Sequence, residues 1–208
     1  MLSRVATRKY EQRLRATAAE ETRRRILDAV YERLRAAPAE RISVDRVARM
    51  AGVARSTVYL VFGSRAGLFD ALGDDLLRRA AYERLLAAVA HPDARETLRA
   101  GFRAGVDMFA EDRDVVRALH SMAALDEEAV GGAIRRIEEE RTRGMARLAR
   151  RLGEQGALRP DVTVDDAAHV LWLLTSFDAF DQLYAGRGLS AEETTRLLVE
   201  AAERSLCR

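Results

Sequence analysis

Residues 43–62, SVDRVARMAGVARSTVYLVF, carry the reading on which the fold depends. They fit two short helices joined by a tight turn, with the second helix free to enter a DNA major groove. Ala48 stands four residues before Gly52. Where two helices cross this closely, only a small side chain fits at the first position. The turn then needs a residue that accepts positive φ, which glycine does without steric cost. Val44, Val47, Val53, Val58 and Val61 supply the apolar inner faces. Ser43 is the expected N-cap of the first helix and Ser56 that of the second. Arg55, Ser56, Thr57 and Tyr59 are left at the start and outer side of the second helix, where a groove would lie. An ordinary helical hairpin with a glycine turn is the competing reading. It leaves unexplained why the small residue, the glycine and the apolar positions fall into step.

The rest of the chain sets the frame. Its 208 residues suit one or two domains and can bury a substantial core. It contains 3 prolines, long segments with 3.6-residue periodicity and no alternating β-branched runs. The expected fold is all-α, with about nine helices. The net charge of +2 hides an asymmetry. Residues 1–65 hold 15 Lys+Arg against 7 Asp+Glu, whereas residues 66–208 hold 20 against 26. A basic N-terminal third on an acidic remainder implies that only the first part meets a polyanion. Every basic residue except Lys9 is arginine, which a GC-rich genome would also produce.

Cys207 is the single cysteine, so no disulfide can form within the chain, which suits a reducing compartment. The arginine-rich start lacks the apolar segment of a secretory signal. The most apolar run, residues 167–174, is too short to span a bilayer. A cytoplasmic location without a membrane partner is expected.

Residues 1–16 read as a flexible basic arm, 17–72 as the helix-turn-helix, DNA-binding domain and 73–208 as a second helical part. Thr17 with Glu20 suggests a capping box that opens a helix running to Ala36, with Ile26, Leu27, Val30 and Leu34 on its apolar stripe. Ser64 caps a bridging helix over residues 64–80. Asp93 with Glu96 opens a further helix, and a short one is expected over 114–124. A long helix follows over 126–153, where Arg141 interrupts the apolar stripe. Arg141 reads as an edge arginine lying along its stem, with a pocket charge as the alternative. Gly101 and Gly105 read as sites of close helix packing. Thr163 with Asp166 caps a single helix to about Tyr184, and Ser190 with Glu193 caps the last one.

The segment 167–180 is apolar on most sides and must be covered all round. Part of that cover is expected from a second subunit, as a two-fold four-helix interface. Phe102, Phe109, Met122, Trp172, Phe177 and Phe180 fall on inward faces, where they line a ligand cavity or fill a core. His120, Ser176 and Asp181 are the candidate polar groups for orienting a ligand.

With these residues in view, the chain resembles the TetR (tetracycline-repressor) family of bacterial transcriptional regulators. The resemblance rests on Ile26-Leu27, Ser43-Val-x-x-Val-Ala48, Ala51-Gly52-Val53, Ser56-Thr57-Val58-Tyr59-x-x-Phe62, Ser64-Arg65 and Leu68-Phe69, and covers about residues 20–72. It implies a homodimer whose N-terminal domains bind a palindromic operator in double-stranded DNA. It also implies that residues 73–208 form an effector-binding and dimerisation domain, whose small-molecule effector releases the protein from that operator. By position, Arg55, Ser56, Thr57 and Tyr59 would face DNA, and Ser43 would touch a phosphate. Arg65 takes the place of a lysine near the backbone. Two positions depart from the pattern: Leu60 stands where a polar or aromatic residue is common, and Gly67 where an acidic one often completes a cap.

No catalytic constellation accompanies these features, and no cofactor is implied. His91, His120 and His169 are scattered without metal-ligand spacing. A metal-responsive regulator using His120 and His169 is one alternative. Another is an architectural DNA-binding protein without an effector, whose affinity phosphates would dominate. The acidic C-terminal part speaks against the latter. If Arg4, Arg8, Lys9, Arg13 and Arg15 touch phosphates, deleting residues 1–16 lowers the slope of log affinity against log salt, by roughly 0.9 for each phosphate no longer neutralised. Titrations at several salt concentrations measure it, and an unchanged slope removes the segment from the interface.

Overall fold

The computed structural model describes residues 2–38, 40, 42–77 and 80–208. Ten helices occur among them: α1 (Leu2–Ala36), α2 (Val44–Met50), α3 (Arg55–Phe62), α4 (Arg65–Leu76), α5 (Ala80–Ala88), α6 (Ala94–Leu125), α7 (Glu127–Glu154), α8 (Val164–Leu174), α9 (Phe177–Tyr184) and α10 (Ala191–Leu206). The described residues contain no strand, only an isolated bridge between Leu158 and Cys207. The all-α class therefore holds. The chain forms two compact units. The first comprises Met1–Leu72 with Arg117–Ala133, and the second Gly73–Val116 with Ile134–Arg208. The boundary falls inside α6 and α7, and just within the C-terminal half of α4.

In the first unit, the α1 stripe of Ile26, Leu27, Val30 and Leu34 is buried as expected. The helix begins at Leu2, not at Thr17, so Thr17 and Glu20 lie inside it and form no start. Residues 2–16 include four Arg, two Ala and two Leu and hold neither glycine nor proline, so nothing in them stops a helix. At the other end Arg33 is buried, donating to Ala37 O at 3.2 Å and pairing with Glu40. It fastens the turn that carries Pro38, a role the pattern did not reveal. Ser64 caps α4, its Oγ accepting from Gly67 N–H at 2.9 Å. A Cβ on Gly67 would lie 2.1 Å from the Phe62 carbonyl oxygen, which explains the missing acidic residue there.

In the second unit α5 is a separate helix, which the reading of 64–80 as one bridging helix did not resolve. The expected break between Phe109 and Asp114 appears as a kink rather than an end. Asp112 leaves helical geometry at φ −110 and ψ 17, and α6 continues beyond it. The expected helix 163–184 is two helices. Thr175 Oγ1 turns back to Leu171 O at 2.7 Å, and Ser176 Oγ caps α9 by accepting from Ala179 N–H at 3.1 Å. Both hydroxyls offer the backbone an alternative to helix continuation. The capping boxes at Thr163–Asp166 and Ser190–Glu193 form in full. At Asp93 only half forms: Oδ1 accepts from Arg95 and Glu96 N–H at 2.8 and 3.0 Å, while the Glu96 carboxylate binds Arg99. The core combines Leu98, Phe102 and Val106 of α6 with Leu148 and Leu152 of α7, Leu171 of α8, Phe177 and Phe180 of α9, and Leu198 of α10.

Gly67→Ala forces a methyl group against backbone that cannot turn aside. A destabilisation of about 1–3 kcal/mol is expected from such overpacking. Urea unfolding followed by circular dichroism measures it, and an unchanged midpoint contradicts the clash.

Candidate DNA interface and ligand cavity

The turn between α2 and α3 is closed by two hydrogen bonds. Gly52 N–H donates to Arg49 O at 3.2 Å, and Val53 N–H to Ala48 O at 2.9 Å. With Gly52 at φ +64, this is the Schellman arrangement, which satisfies carbonyls that a helix end leaves free. Ala48 is buried beneath the turn, as are Val44, Val47 and Val58. The residue that enters α3 is Ala54, extended at φ −72 and ψ 150. Ser56 is therefore not the cap; it lies in the first turn of α3, and its hydroxyl is left to the solvent side. Ser43 does occupy the N-cap of α2, but its side chain makes no capping bond.

Arg55, Ser56, Tyr59 and Leu60 form the exposed face of α3, with Thr57 half-buried at its edge. They make two parallel ridges at i,i+4 spacing, Arg55–Tyr59 and Ser56–Leu60. Arg55 donates to the Asp45 carboxylate at 3.2 and 3.3 Å and to Tyr59 Oη at 3.4 Å, its guanidinium 5.6 Å from the Tyr59 ring centroid. The Tyr59 hydrogen bond, then the Asp45 charge, hold the guanidinium above its ordinary pKa, so it stays charged. Leu60 is 86% exposed, the most exposed of the large apolar side chains. Arg65 is half-buried, bonded to Asp126 and 5.4 Å from the Phe69 ring centroid, so a phosphate would have to draw it out of that pair.

The second unit contains a cavity of about 100 Å³. Leu85 and Val89 wall it on one side, α6 from Thr97 to Phe109 on another, and Arg141, Met145 and Leu148 of α7 on a third. Leu174, Thr175, Ser176, Phe180 and Leu198 complete it. Four of the sequence candidates thus come together: Phe102, Phe109, Ser176 and Phe180. Phe177 is buried just behind, its ring 5.5 Å from that of Phe109 and 6.0 Å from that of Phe180. Trp172 does not line the cavity; it is 42% exposed on α8. Asp181 accepts from Arg113 Nε at 2.6 Å. His120 and Met122 fall on the Arg117–Ala133 segment of the first unit and do not line this cavity. His169 is exposed on α8 in the second unit, so the two histidines of the metal alternative belong to different units. Among the described residues no three His, Cys, Asp or Glu side chains gather as a metal site.

For Arg141 the alternative reading, a pocket charge, is the one the structure supports. Arg141 is a cavity residue rather than an edge arginine, its side chain only 13% exposed. Gly105 is not a close-packing site. A Cβ there would meet nothing within 4 Å, so its missing side chain opens the cavity. Gly101 does pack closely, with Val89 Cγ1 3.2 Å from the place of its Cβ. The interruption of the α7 stripe was the one signal for Arg141. Phe180→Ala would empty a fully buried ring position stacked 4.9 Å from Tyr184. A loss of about 3–5 kcal/mol is expected in chemical unfolding.

The family described as "Bacterial regulatory proteins, tetR family" matches residues 26–72. No curated protein matches the chain. Solved structures share its fold. NalD, the secondary repressor of the MexAB-OprM multidrug efflux pump in Pseudomonas aeruginosa, aligns at a TM-score of 0.66 and 24% identity, over 91% of this chain and 98% of its own. PfmR of Thermus thermophilus, a TetR-family transcriptional regulator, aligns at 0.64 and 22%, over 86% and 97%. A Saccharomonospora viridis protein described as a transcriptional regulator, in complex with choline, aligns at 0.69 and 20%, over 91% and 99%. No helix of the described residues is long and apolar enough to cross a membrane. Residues 26–72 thus carry the helix-turn-helix domain of that family, and the chain shares its fold with these solved structures.

Proposed function

We propose that the protein is a homodimeric repressor, held on a palindromic operator until a small molecule enters the cavity of its second unit. The exposed face of α3 in one unit, together with an apolar cavity in the other, is the observation that carries this reading. In it, residues 17–72 bind DNA with the basic segment 1–16, and residues 73–208 serve the effector and the dimer. One α3 reads only a few base pairs. Two related by a two-fold axis double the contacts, with recognition helices about 34–36 Å apart or somewhat more.

Arg55 reaches a base edge, exchanging Asp45 for guanine acceptors. Ser43, Ser56, Thr57, Tyr59 and Arg65 hold the backbone, which positions the helix without specifying sequence. Leu60 contributes an apolar tip, and the thymine C5-methyl is the apolar feature of the major groove. The dimer is built on α8 and α10. Leu173 is 59% exposed there, on a helix otherwise rich in apolar side chains.

Release is a population shift, limited by the ligand's differential affinity for the two states. The bridging helix α4 is one lever. The other is α6, which lines the cavity up to Phe109 and supplies the first unit from Arg117 onward.

Selecting bound DNA from random genomic fragments tests the whole reading: a single palindrome is expected, and diffuse coverage refutes it. On that palindrome, Arg55→Ala costs about 1–3 kcal/mol and relaxes preference at one position per half-site. Replacing one thymine per half-site by deoxyuracil weakens binding about three- to tenfold where Leu60 touches, and nowhere if Leu60 stays clear of the bases. Leu173→Asp places an unpaired charge in the dimer face, and light scattering is expected to show monomers at micromolar concentration.

A further inference from the structure

The cavity has a single charged residue among those that line it, and that charge is already answered from within the chain. Arg141 donates from Nε to Glu138 at 3.2 Å and from Nη2 to the other oxygen of the same carboxylate. Its Nη1 donates to Trp172 O and to Thr175 Oγ1, the latter at 3.3 Å. One face of the guanidinium lies 4.7 Å from the Trp172 ring centroid. All three nitrogens of the fork are engaged, and the carboxylate, one helical turn earlier on α7, cancels the charge. The cavity hydroxyls are committed too. Thr97 donates to backbone carbonyls at 2.9 Å, Thr175 to Leu171 O at 2.7 Å and Ser176 to Leu173 O at 2.8 Å.

A charged ligand entering this site would lose its water and meet an Arg141 whose charge Glu138 already neutralises, which is costly in an apolar surrounding. An uncharged ligand loses nothing of the kind. The volume of about 100 Å³ is of the order of the roughly 150 Å³ apolar cavity known to hold benzene. We infer that Glu138, by neutralising Arg141 inside the chain, restricts the effector to small, uncharged, mainly apolar molecules of single-ring size. This rests on the cavity being the effector site, and it makes Glu138 a specificity-determining residue that need not touch the ligand.

Three probes share one ring and differ in charge: toluene, benzoate and benzylammonium. Calorimetric titration of the full-length protein is expected to show toluene binding and benzoate at least about tenfold weaker. Glu138→Gln keeps the shape and removes the countercharge, so benzoate gains about tenfold or more while toluene changes little. Gly105→Leu fills the cavity and abolishes toluene binding, while circular dichroism shows the helices intact. The fluorescence of Trp172, the single tryptophan, gives a second readout at the Arg141 site. Benzoate equal to or better than toluene in the unaltered protein overturns the inference. So does a preference for benzylammonium, toluene binding that survives Gly105→Leu, an unchanged benzoate affinity in Glu138→Gln, or no heat with toluene. Release from DNA is measured separately. Toluene that binds without loosening the operator complex leaves the selectivity of the cavity standing and removes its role as effector site.

Discussion

The hydrogen bond from Val53 N–H to Ala48 O governs what α3 can present to DNA. At 8 residues, α3 is too short to persist alone, since nucleation consumes most of what so few hydrogen bonds return. It exists because the turn delivers Val58 into the core below and leaves the opposite face in solvent. The bond requires Gly52 at positive φ, and the crossing it produces requires a methyl group, not more, at Ala48. Arg55, Ser56, Tyr59 and Leu60 inherit their common face from that geometry. A change in the turn would therefore scatter the interface without altering one residue of it.

That dependence explains why the DNA-binding unit could be read from the chain. Gly52 and Ser64 each do something few other residues can do, and their partners lie within five positions. Thr163–Asp166 and Ser190–Glu193 are local in the same way. The rest fails where one residue type serves two ends. Ser56 resembles a cap but sits two residues too late, because Ala54 already has the extended geometry. Ser176 looks like an interior polar group and is a cap, because Thr175 has already bent the backbone ahead of it. Arg33 and Arg141 look alike in the sequence, yet each is placed by acceptors brought by later segments. For Arg141 those acceptors are Trp172 and Thr175, about thirty residues away in the chain. Periodicity finds the faces of helices and says nothing of which distant carbonyl will meet them.

The assignment of residues 117–133 to the first unit bears on how two functions share one chain. Within that unit Arg65 of the DNA-binding part holds Asp126, and Gly132 lets Asp70 approach to 2.8 Å of where a Cβ would sit. The C-terminal end of α6 and the start of α7 are thus fastened to α4. The cavity-lining part of α6 ends at Phe109 and belongs to the other unit. Between them stand Asp112, which interrupts helical geometry, and Arg113, tied to Asp181 of α9. The non-helical residue of α6 thus lies between its cavity-lining residues and those assigned to the first unit.

Arginine does opposite work in the two units, and burial decides which. Arg55 lies in solvent, so water screens its pair with Asp45, and such exposed pairs contribute little. It can give up that carboxylate for another acceptor at small cost while keeping its full charge. Arg141 is enclosed, and a buried charge that loses its partner is strongly penalised. Its bond to Glu138 cannot be traded so readily, which removes its charge from anything entering the cavity. The same side chain, nearly the only cation this chain uses, is therefore free to change partners where water reaches it and a fixed part of the wall where water does not.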